Sequence, residues 1–491
     1  MPNTPIALPE SVLPNKKNKS IHFIGIGGIG MSGIAKIFTE LNYKISGSDI
    51  KDSPTLFSMS ERGATVFVGH HEKNTDDAGL LVVSSAIDKN NPEILKAQKN
   101  NIPIVHRAQV LSLLTSGKAM GQITNQVSIG VTGTHGKTTT SGMLGWFFEN
   151  SQLSPTIVVG GQMPSLNTNS KLGSGQYFIA ELDESDGTIV LYKPDITVIT
   201  NLELDHPDHY RNGMDQLIDT FLTYINNLPD KATVIVNVDS EGNRILLDKI
   251  PQKNSKVLTY SIDPDSPYYE NAKFKAANIK THGFKSTFNV LYDNEPLGEE
   301  VTIIIPGYHN ISNAIAAIAV GIESGLGVEK VFSSIGKFSG MKRRFQIIGE
   351  SEGTKIVDDY AHHPTEIEAA LSTAKSIIQS EGKGRLVAVF QPHRYSRLKT
   401  FWEEFKNCFK HADAVYVCDV YAASEKAIEG VNSEEFTKGM DHTKAKYTGG
   451  SLEEVAATIY QDIQPDDLVI TLGAGNITKF GNILLEKIRK N

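Results

Sequence analysis

The stretch VSIGVTGTHGKTTTSGMLGWFFEN, residues Val127 to Asn150, is the most informative part of this chain. Its first residues, VSIGV, form an apolar run that predicts a buried strand, and TTSGMLGWFFEN predicts a helix. Gly133 and Gly136 lie between the two, where backbone N–H groups can wrap a phosphate chain at the positive end of the helix. The stretch therefore predicts an α/β domain with a phosphate-binding loop.

This loop differs by one residue from the triphosphate-binding pattern GxxxxGK[ST], because Val131 stands where the first glycine is expected. Lys137 is placed to reach the β- and γ-phosphates, and the Thr138 hydroxyl to bind Mg²⁺. The alternative is a glycine-rich helix start without a ligand. We expect ATP binding by the loop residues Gly133, Thr134, His135, Gly136, Lys137, Thr138 and Thr139.

Two groups of polar residues follow predicted buried strands of the same sheet and are candidates to complete a magnesium–ATP site. The alternative for each is a solvated polar loop. The two histidines of HPDH are also three residues apart, but no cysteine or further histidine nearby completes a tetrahedral zinc site. The groups are Glu181, Asp183, Glu184 and Asp186 in YFIAELDESD, and Asp205, His206, Asp208 and His209 in TNLELDHPDHY.

A second glycine loop occurs earlier, in IHFIGIGGIGMSGIA. Gly25, Gly27 and Gly30 spell GxGxxG after an apolar strand, and Asp49 follows about 20 residues later, as in nicotinamide-dinucleotide sites. A strand, loop and helix present the same N–H groups and helix dipole to any diphosphate. This motif alone therefore does not choose between NAD and another diphosphate.

The bulk composition limits the classes of function. The chain has 491 residues, which favours two to four domains, and its formal net charge of −8 gives no reason to expect nucleic acid or an anionic membrane as a partner. Two cysteines, Cys408 and Cys418, are too few for a disulfide framework. The N-terminus lacks the apolar core of a secretory signal, and no apolar run reaches the roughly 20 residues of a membrane span. We expect a cytoplasmic multi-domain protein without membrane insertion.

Strand and helix patterns alternate along most of the chain and predict an α/β fold with three domains in series, each built on a mainly parallel sheet flanked by helices. The small, polar stretch 116–126 is a predicted linker, and residues 256–305 alternate in a way that predicts antiparallel hairpins. The expected segments are a flexible lead-in at 1–20 and domains at 21–120, 121–339 and 340–491.

Six motifs together resemble the Mur ligases, and they occur in family order over roughly Ile21 to Asn476. They are GTHGKTTT, TNLELDH, GYHNISNAIAA, SGMKRRFQ, VDDYAHHPTEI and FQPHRYSR. The resemblance implies a Rossmann-like N-terminal domain for a UDP-sugar, a P-loop central domain for ATP and a Rossmann-like C-terminal domain for an amino acid. GIGGIGMSGIA and FQPHRYSR look most like the branch that adds L-alanine.

The reaction implied by this resemblance is ATP-dependent amide formation in peptidoglycan precursor synthesis. The lactyl carboxylate of UDP-N-acetylmuramate attacks the γ-phosphate to give an acyl phosphate, which the amine of L-alanine then attacks. The implied cofactors are ATP and Mg²⁺, with two ions. The implied partners are small-molecule substrates, and the oligomeric state stays open.

In this family the first glycine loop holds a UDP diphosphate and not NAD. Asp49 would then lie near the uridine or ribose, and polar residues at other strand ends would accompany it. The residues to which the resemblance gives a UDP-sugar-binding role are Gly25, Gly27, Gly28, Gly30, Asp49, His70, Ser84 and Ser85.

The resemblance also implies the metal ligands: Thr138 and Glu181 on one ion and His206 on the other. Glu181 is chosen over Glu184 because the family's metal glutamate lies at the end of its strand, but Glu184 stays possible. Other members use a carbamylated lysine after the His206-type histidine. This chain has no lysine between His206 and Asp230, so the ligands of the second ion are incompletely assigned.

The later motifs carry the remaining roles that the resemblance implies. His309, Asn310 and Asn313 would bracket adenine, although helix capping is an alternative for them, and Arg343 would bind ATP. The implied catalytic residues are Lys137, His206, Arg344 and Asp359. An arginine fork suits a carboxylate, and the implied amino-acid-binding residues are Tyr360, His362, Arg394 and Arg397.

Several other functions compete with this interpretation. A ligase that recycles a tripeptide onto the same nucleotide sugar differs in its front loop, and a folate polyglutamylating ligase lacks the N-terminal domain. From other classes, an NAD-dependent dehydrogenase or a simple P-loop ATPase would fit one glycine loop each. The intact GIGGIGM disfavours the recycling ligase, and the first 115 residues disfavour the folate ligase. The six ligase motifs disfavour the dehydrogenase.

Overall fold

The computed structural model describes residues 8–16, 18–117, 126–206, 209–251, 255–423 and 425–490. These residues form two compact units, which are described separately. The first comprises the described residues within 1–277, 290–299 and 312–335, and the second those within 278–289, 300–311 and 336–491. Three sheets, most of whose strand pairs are parallel, confirm the predicted three-domain α/β fold.

The first sheet belongs to the first unit and has five parallel strands, of which the two edge strands are short. The strands are β1 (Ser20–Ile24), β2 (Ile45–Asp49), β3 (Thr65–Val68), β4 (Ala78–Val83) and β5 (Ile104–His106), in the order β3-β2-β1-β4-β5. The helices are α1 (Ile29–Glu40), α2 (Pro54–Glu61), α3 (Pro92–Lys99) and α4 (Arg107–Thr115). This is the doubly wound pattern that places a ligand at the carboxyl ends of the strands.

The lead-in differs from the expected flexible segment over its described residues. Leu8, Val12 and Leu13 are partly buried against the core of the first unit, and Glu10–Val12 form a 3₁₀ turn. Isolated apolar residues in a proline-containing stretch have no periodicity, so this packing gives no sequence signal. The predicted linker lies mostly in residues 118–125, which are outside the described residues.

The second sheet continues in the first unit and carries the triphosphate-type loop. Its strands β6 (Val127–Thr132), β7 (Thr156–Met163), β8 (Thr168–Lys171), β9 (Tyr177–Glu181), β10 (Ile196–Ile199), β11 (Thr233–Asn237) and β12 (Lys256–Ser261) have the order β12-β11-β10-β6-β9-β7-β8. Only the β7–β8 pair among these is antiparallel. The helices are α5 (Lys137–Asn150), α6 (Met214–Asn226) and α7 (Glu241–Lys249).

Residues 256–305, which were predicted to form antiparallel hairpins, form antiparallel pairs only in part. The first strand of this region, β12, pairs in parallel with β11, and its mixture of apolar and polar residues does not distinguish the two kinds of sheet. The following strands are β13 (Phe274–His282), β14 (Lys285–Tyr292), β15 (Glu295–Pro296) and β16 (Val301–Ile303). β14 pairs antiparallel with β15 and β16, and the Asp293–Asn294 turn has the positive φ values of a tight hairpin.

Two helices follow, α8 (Tyr308–Glu323) and α9 (Val328–Ile335). Most of α8 is buried because apolar residues surround its axis from Ile311 to Val320. No helix among the described residues is long and apolar enough to cross a membrane.

The third sheet forms the core of the second unit. Its strands are β17 (Gln346–Ser351), β18 (Thr354–Asp359), β19 (Leu386–Phe390), β20 (Ala414–Val417), β21 (Ala445–Tyr447) and β22 (Leu468–Leu472), in the order β17-β18-β22-β19-β20-β21. Its helices are α10 (Pro364–Glu381), α11 (Tyr395–Thr400), α12 (Trp402–Asn407), α13 (Ser433–Gly439), α14 (Leu452–Asp462) and α15 (Phe480–Lys490). The antiparallel pairing of the edge strand β17 with β18 departs from the parallel pattern that otherwise agrees with the prediction for this domain.

Candidate functional site

The loop from Gly133 to Gly136 joins β6 to α5 in a conformation that only glycine adopts readily. Gly133 has φ +118°, and a Cβ there would overlap Thr200 Oγ1 and lie 2.7 Å from the Asn201 carbonyl oxygen. Gly136, with φ +81°, is the N-cap of α5. The loop is held against the end of β10, since the His135 N–H donates to Asn201 Oδ1 at 2.8 Å.

Lys137 is the first residue of α5, and its ammonium group folds back over this loop. Its Nζ donates to the carbonyl oxygens of Gly133 and Thr134 at 2.5 and 2.7 Å and lies 3.0 Å from Glu184 Oε2. Burial opposes the charge, but the carboxylates of Glu184 and Asp183 outweigh it and raise the pKa of Lys137. The lysine is therefore a fixed positive charge at the mouth of the loop.

Thr138 and Glu181 lie side by side, as the proposed metal site requires. Thr138 Oγ1 donates to Glu181 Oε1 at 3.1 Å, and the Gly160 N–H donates to Glu181 Oε2 at 2.7 Å. Glu184 is instead only 2% exposed and forms an ion pair with Lys137. A hydroxyl and a carboxylate at a helix start fit a hard divalent cation such as Mg²⁺, so the geometry favours Glu181 over Glu184.

His206 lies on the loop after β10, with its Nε2 3.5 Å from Asp205 Oδ2. Asp208 of the same loop lies outside the described residues. His209 packs edge-on against Tyr210, and its ring lies over Gly187. His209 therefore has a packing role in the fold, whereas the role of His206 as a metal ligand stays a prediction.

Asn313, predicted to contact adenine, lies directly behind the phosphate-type loop. Its Oδ1 accepts a hydrogen bond from Thr140 Oγ1 at 3.1 Å and would lie 2.5 Å from a Cβ on Gly136. The asparagine thus supports the N-terminus of α5 in the first unit.

His309 and Asn310, at the start of α8, belong to the second unit. Asn310 Nδ2 donates to the Pro306 carbonyl oxygen at 2.7 Å. This bond differs from an N-cap, in which a side-chain oxygen accepts from a helix N–H. His309 borders an open cavity of about 130 Å³ between the β13–β14 hairpin and α10. The lining residues are Thr281, Gly283, Ser286, Pro306, Gly307, Tyr308, His309, Ala369, Ser372, Thr373 and Ser376.

We expect His309 to stay neutral well below the usual histidine range. Desolvation, with a smaller contribution from the Arg344 guanidinium, lowers the pKa of His309 to about 4 from 6.5, although His309 is an exposed residue. Because the unfolded chain takes up this proton first, the stability contribution is present above 6.5 and lost as the pH falls through about 4. An NMR titration of the His309 ring should show a midpoint near 4, and a midpoint near 6.5 would contradict this environment.

The first glycine loop has the expected geometry at the end of β1. Gly25 has φ +81°, and the Gly27 N–H donates to Asp49 Oδ2 at 2.9 Å. A Cβ on Gly27 would lie 2.7 Å from the same oxygen, so any side chain at position 27 would displace the Asp49 carboxylate. Asp49 therefore braces the loop, in addition to any contact with a ribose. Gly28 is the N-cap of α1.

Of the accompanying residues, His70 and Ser85 have side-chain partners close to the strand ends. His70 Nδ1 lies 2.9 Å from Ser48 Oγ, at the end of β2. Ser85 Oγ donates to Asp186 and lies 3.2 Å from His106 Nε2. The backbone carbonyl of Ser84 accepts from the Ile87 N–H at 3.1 Å in the turn after β4.

Arg107, the first residue of α4, was missed by the sequence analysis. Its guanidinium forms an ion pair with Asp183, and a Cβ on Gly30 would lie 3.0 Å from its Nη1. Although burial has the opposite effect, Arg107 and Lys137 hold the pKa of Asp183 well below its usual range. Arg107 therefore connects the two glycine loops within one unit. A lone arginine directly after a parallel strand was the only available sequence signal.

The second unit has two arginines packed on one aromatic ring. The guanidinium carbons of Arg343 and Arg344 lie 4.8 and 5.1 Å from the centroid of Tyr360. Arg343 Nη2 donates to the Gly473 carbonyl oxygen at 2.6 Å, so this predicted ATP-binding residue holds the glycine turn after β22. Arg344 Nη1 is 3.7 Å from Glu366 Oε1.

Asp359 lies in the same cluster, and two backbone N–H groups donate to its carboxylate. The N–H groups of Phe345 and Ala361 each donate to it at 2.7 Å. Burial raises the pKa of Asp359 to about 6, against the opposing effects of Arg344 and these two bonds.

The predicted amino-acid-binding residues are distributed over two neighbouring loops. His362 Nδ1 lies 3.1 Å from Glu366 Oε2, and the His362 ring is 5.9 Å from His393. Arg394 is the N-cap of α11, with φ +70°, and Arg397 lies one turn further on. The sequence analysis missed His393 and its stacking partner Tyr421, whose ring centroids are 5.6 Å apart.

Three family models match successive parts of the chain. They are described as Mur ligase family, catalytic domain (residues 20–119), Mur ligase middle domain (131–321) and Mur ligase, glutamate ligase domain (343–475). The UDP-N-acetylmuramate–L-alanine ligase of Desulfotalea psychrophila is 39% identical over 468 residues, or 95% of this chain and 97% of that protein. The chain belongs to the Mur ligase family. It is an ATP-dependent amide-bond-forming ligase.

Other Mur ligases also match this chain over most of its length. The enzyme of the same name from Rickettsia felis is 40% identical over 479 residues, covering 96% of each chain. The solved UDP-N-acetylmuramate-alanine ligase of Thermotoga maritima has a TM-score of 0.78 and 27% identity, covering 96% of this chain and 99% of that one. The murein peptide ligase of Psychrobacter arcticus shares the fold, with a TM-score of 0.68 and 22% identity over 96% of this chain and 98% of that one. These matches favour neither the recycling ligase nor the dehydrogenase.

Proposed function

We propose that this Mur ligase joins L-alanine to the lactyl carboxylate of UDP-N-acetylmuramate and converts ATP to ADP and phosphate. The observation that carries the proposal is the Arg107–Asp183 ion pair, which links a diphosphate-type loop at Gly30 to the triphosphate-type loop at Lys137. The relatives about 40% identical, which bear this enzyme's name, support the same substrates.

The chemistry has two steps. A carboxylate oxygen of UDP-N-acetylmuramate attacks the γ-phosphorus, ADP leaves, and the product is an acyl phosphate. The amine of L-alanine then adds to the acyl carbon, and the tetrahedral intermediate expels phosphate and loses a proton. Lys137 supplies a fixed positive charge against the phosphoryl oxygens in the first step, where charge stabilisation and positioning dominate.

Thr138 and Glu181 would hold one Mg²⁺ and His206 would bind the second, which would offset the negative charge of the phosphates. The UDP-sugar would contact Gly25, Gly27, Gly28, Gly30, Asp49, His70, Ser84 and Ser85. Arg107 is added to these residues as a neighbour of the diphosphate.

The remaining roles in the proposal follow the family motifs. ATP would contact the residues from Gly133 to Thr139, and His309, Asn310, Asn313 and Arg343. Arg344 and Asp359 would act in catalysis, and Tyr360, His362, Arg394 and Arg397 would bind L-alanine. The proposed domains are 21–120, 121–339 and 340–491. A cytoplasmic location is proposed from the two free, buried thiols Cys408 and Cys418.

Phosphate release from ATP tests this function directly. The protein is incubated with UDP-N-acetylmuramate and single amino acids, or with the murein tripeptide. Release that requires both the nucleotide sugar and L-alanine is the expected result. A requirement for the tripeptide would indicate the recycling reaction instead, and release without either cosubstrate would leave only an ATPase.

Replacing Arg107 by glutamine should lower kcat/KM for UDP-N-acetylmuramate by about 100-fold. The substitution leaves the Asp183 carboxylate beside Lys137 without its ion-pair partner and removes a guanidinium next to Gly30. Arg62→Gln is the matched control, because Arg62 forms a surface pair with Glu40 at 3.4 Å. Equal activity of the two variants in steady-state assays would exclude a role for Arg107.

A further inference from the structure

A buried chain of polar side chains lies beneath the first glycine loop, and no step above uses it. At its centre is Glu93, in the first turn of α3, which is fully buried together with His22 and Ser48. Ser48 directly precedes Asp49, which braces the loop through Gly27. The buried chain therefore adjoins the proposed nucleotide site.

Each oxygen of the Glu93 carboxylate has a distinct set of donors. Oε1 accepts from Asn74 Nδ2 at 2.6 Å and lies 3.4 Å from the His71 backbone nitrogen, which donates to it. Oε2 accepts from Ser48 Oγ at 2.6 Å and lies 3.6 Å from His22 Nε2. Burial opposes ionisation, but the neighbouring His22 and the hydrogen bonds from Ser48 and Asn74 lower the pKa of Glu93 below its usual range. The carboxylate is therefore an acceptor at both oxygens.

The direction of these bonds determines which nitrogen of His70 carries the proton. Ser48 has one hydroxyl proton, and it donates that proton to Glu93 Oε2. The 2.9 Å bond between Ser48 Oγ and His70 Nδ1 must then have Nδ1–H as its donor. Nδ1 also lies 3.4 Å from Glu93 Oε2, which favours the same proton position. In the neutral ring, Nε2 is left with a free lone pair.

His70 is well placed to use that lone pair on a ligand. It follows β3 at the carboxyl edge of the sheet, and its side chain is 16% exposed. The Gly69 N–H donates to the Asp49 carbonyl oxygen at 2.7 Å, so the His70 loop is fixed to the residue that braces Gly27. Among the described residues, His70 Nε2 has no hydrogen-bond partner.

We propose that Glu93 is a positioning residue that, through Ser48, holds the His70 proton on Nδ1, so that Nε2 accepts a hydrogen bond from the nucleoside part of the substrate. The inference rests on the proposed function, because it takes the ligand to be a uridine nucleotide. Two nucleoside groups supply such a donor, the uracil N3–H and a ribose hydroxyl.

The first test determines the tautomer of His70 directly in the protein without substitutions. Two-bond ¹H–¹⁵N correlation spectra of ¹⁵N-histidine-labelled full-length protein distinguish the Nδ1–H and Nε2–H forms. The His70 signals are assigned by their loss in His70→Gln. The Nδ1–H form is expected, and the Nε2–H form would overturn the proposal whatever the enzyme does.

Two variants then separate the relay from a merely structural role. In Glu93→Gln the amide oxygen must face Asn74 and His71, which are donors, so the NH₂ group faces Ser48 Oγ. Ser48 then donates to His70 Nδ1, and the ring proton moves to Nε2. Ser48→Ala instead leaves Nδ1 next to the Glu93 carboxylate, so the Nδ1–H form is retained. A common tautomer in both variants would overturn the proposal.

Binding of UDP alone, measured by calorimetry, provides the functional readout. Glu93→Gln should weaken UDP binding about tenfold, which corresponds to one lost hydrogen bond. UDP analogues identify the donor in the wild type. If the donor is the uracil N3–H, 3-methyl-UDP should bind about tenfold more weakly than UDP. If the donor is a ribose hydroxyl, 2′-deoxy-UDP or 3′-deoxy-UDP should bind about tenfold more weakly instead. That analogue should bind Glu93→Gln no more weakly than UDP does.

If all analogues bind the wild type as tightly as UDP does, Nε2 accepts no bond from the nucleoside and the proposal is wrong. If UDP and UDP-N-acetylmuramate both fail to bind, the proposed function is wrong as well. The wild-type tautomer does not depend on ligand binding, so it still decides whether the Glu93 relay exists.

Discussion

Replacing Lys137 by methionine should lower the rate of phosphate release by about 1,000-fold or more, with intact folding. The ammonium group is the positive charge that the loop holds over its own carbonyl oxygens, 2.5 Å from Gly133 O. Methionine keeps the length of the side chain and removes the charge that stabilises the phosphoryl group in the transition state. Removal of one preorganised electrostatic partner typically costs two to three orders of magnitude, roughly 3–4 kcal/mol.

Lys256→Met is the matched control, because Lys256 is half-exposed and pairs with the partly buried Glu323 at 2.6 Å. It should change the rate less than about twofold. Single-turnover assays with saturating ATP and UDP-N-acetylmuramate separate the chemical step from binding. If the Lys137 variant reached wild-type rates in that assay, the proposed role in phosphoryl transfer would be wrong.

Replacing Gly133 by alanine should destabilise the first unit by about 3 kcal/mol or more and abolish ATP binding. The added methyl would overlap Thr200 Oγ1 and lie 2.7 Å from the Asn201 carbonyl oxygen, and the backbone has φ +118°. Strain of this kind and overpacking each cost roughly 1–3 kcal/mol. Urea unfolding and calorimetric ATP titration measure the two effects.

Gly327→Ala is the control for this substitution, because a Cβ there would meet nothing within 4 Å and the backbone has no restrictive φ. It should change the unfolding free energy by less than about 0.5 kcal/mol. Equal stability of the two alanine variants would show that the Gly133 loop relaxes easily, contrary to its contacts with Thr200 and Asn201.

The parts of the site that a continuous stretch of chain encodes could be predicted from the sequence. The strand, glycine loop and helix around Lys137 follow from local periodicity and from glycine's freedom at positive φ. The same holds for the loop at Gly25 and for most parallel strands. Thr138 and Glu181 could be paired because β6 and β9 were both recognised as buried strands, and adjacent parallel strands end at one edge.

Contacts between single residues that lie far apart in the chain could not be predicted from the sequence. Arg107 and Asp183 are 76 residues apart, and Ser48 and Glu93 are 45 apart, with no periodic pattern connecting either pair. The contact of Arg343 with the turn at Gly473 could not be predicted for a similar reason, since the carbonyl oxygen to which it donates lies 130 residues later. β12 was assigned to a hairpin because its mixture of apolar and polar residues does not distinguish parallel from antiparallel sheets.

The most direct test of the proposed reaction follows an isotope from substrate to product. UDP-N-acetylmuramate carrying ¹⁸O at both lactyl carboxyl oxygens is incubated with ATP, Mg²⁺, L-alanine and the wild-type protein. The proposal predicts UDP-N-acetylmuramoyl-L-alanine by mass spectrometry, with an equal amount of phosphate that contains one ¹⁸O atom. Unlabelled phosphate, or phosphate release without this product, would contradict amide formation through an acyl phosphate.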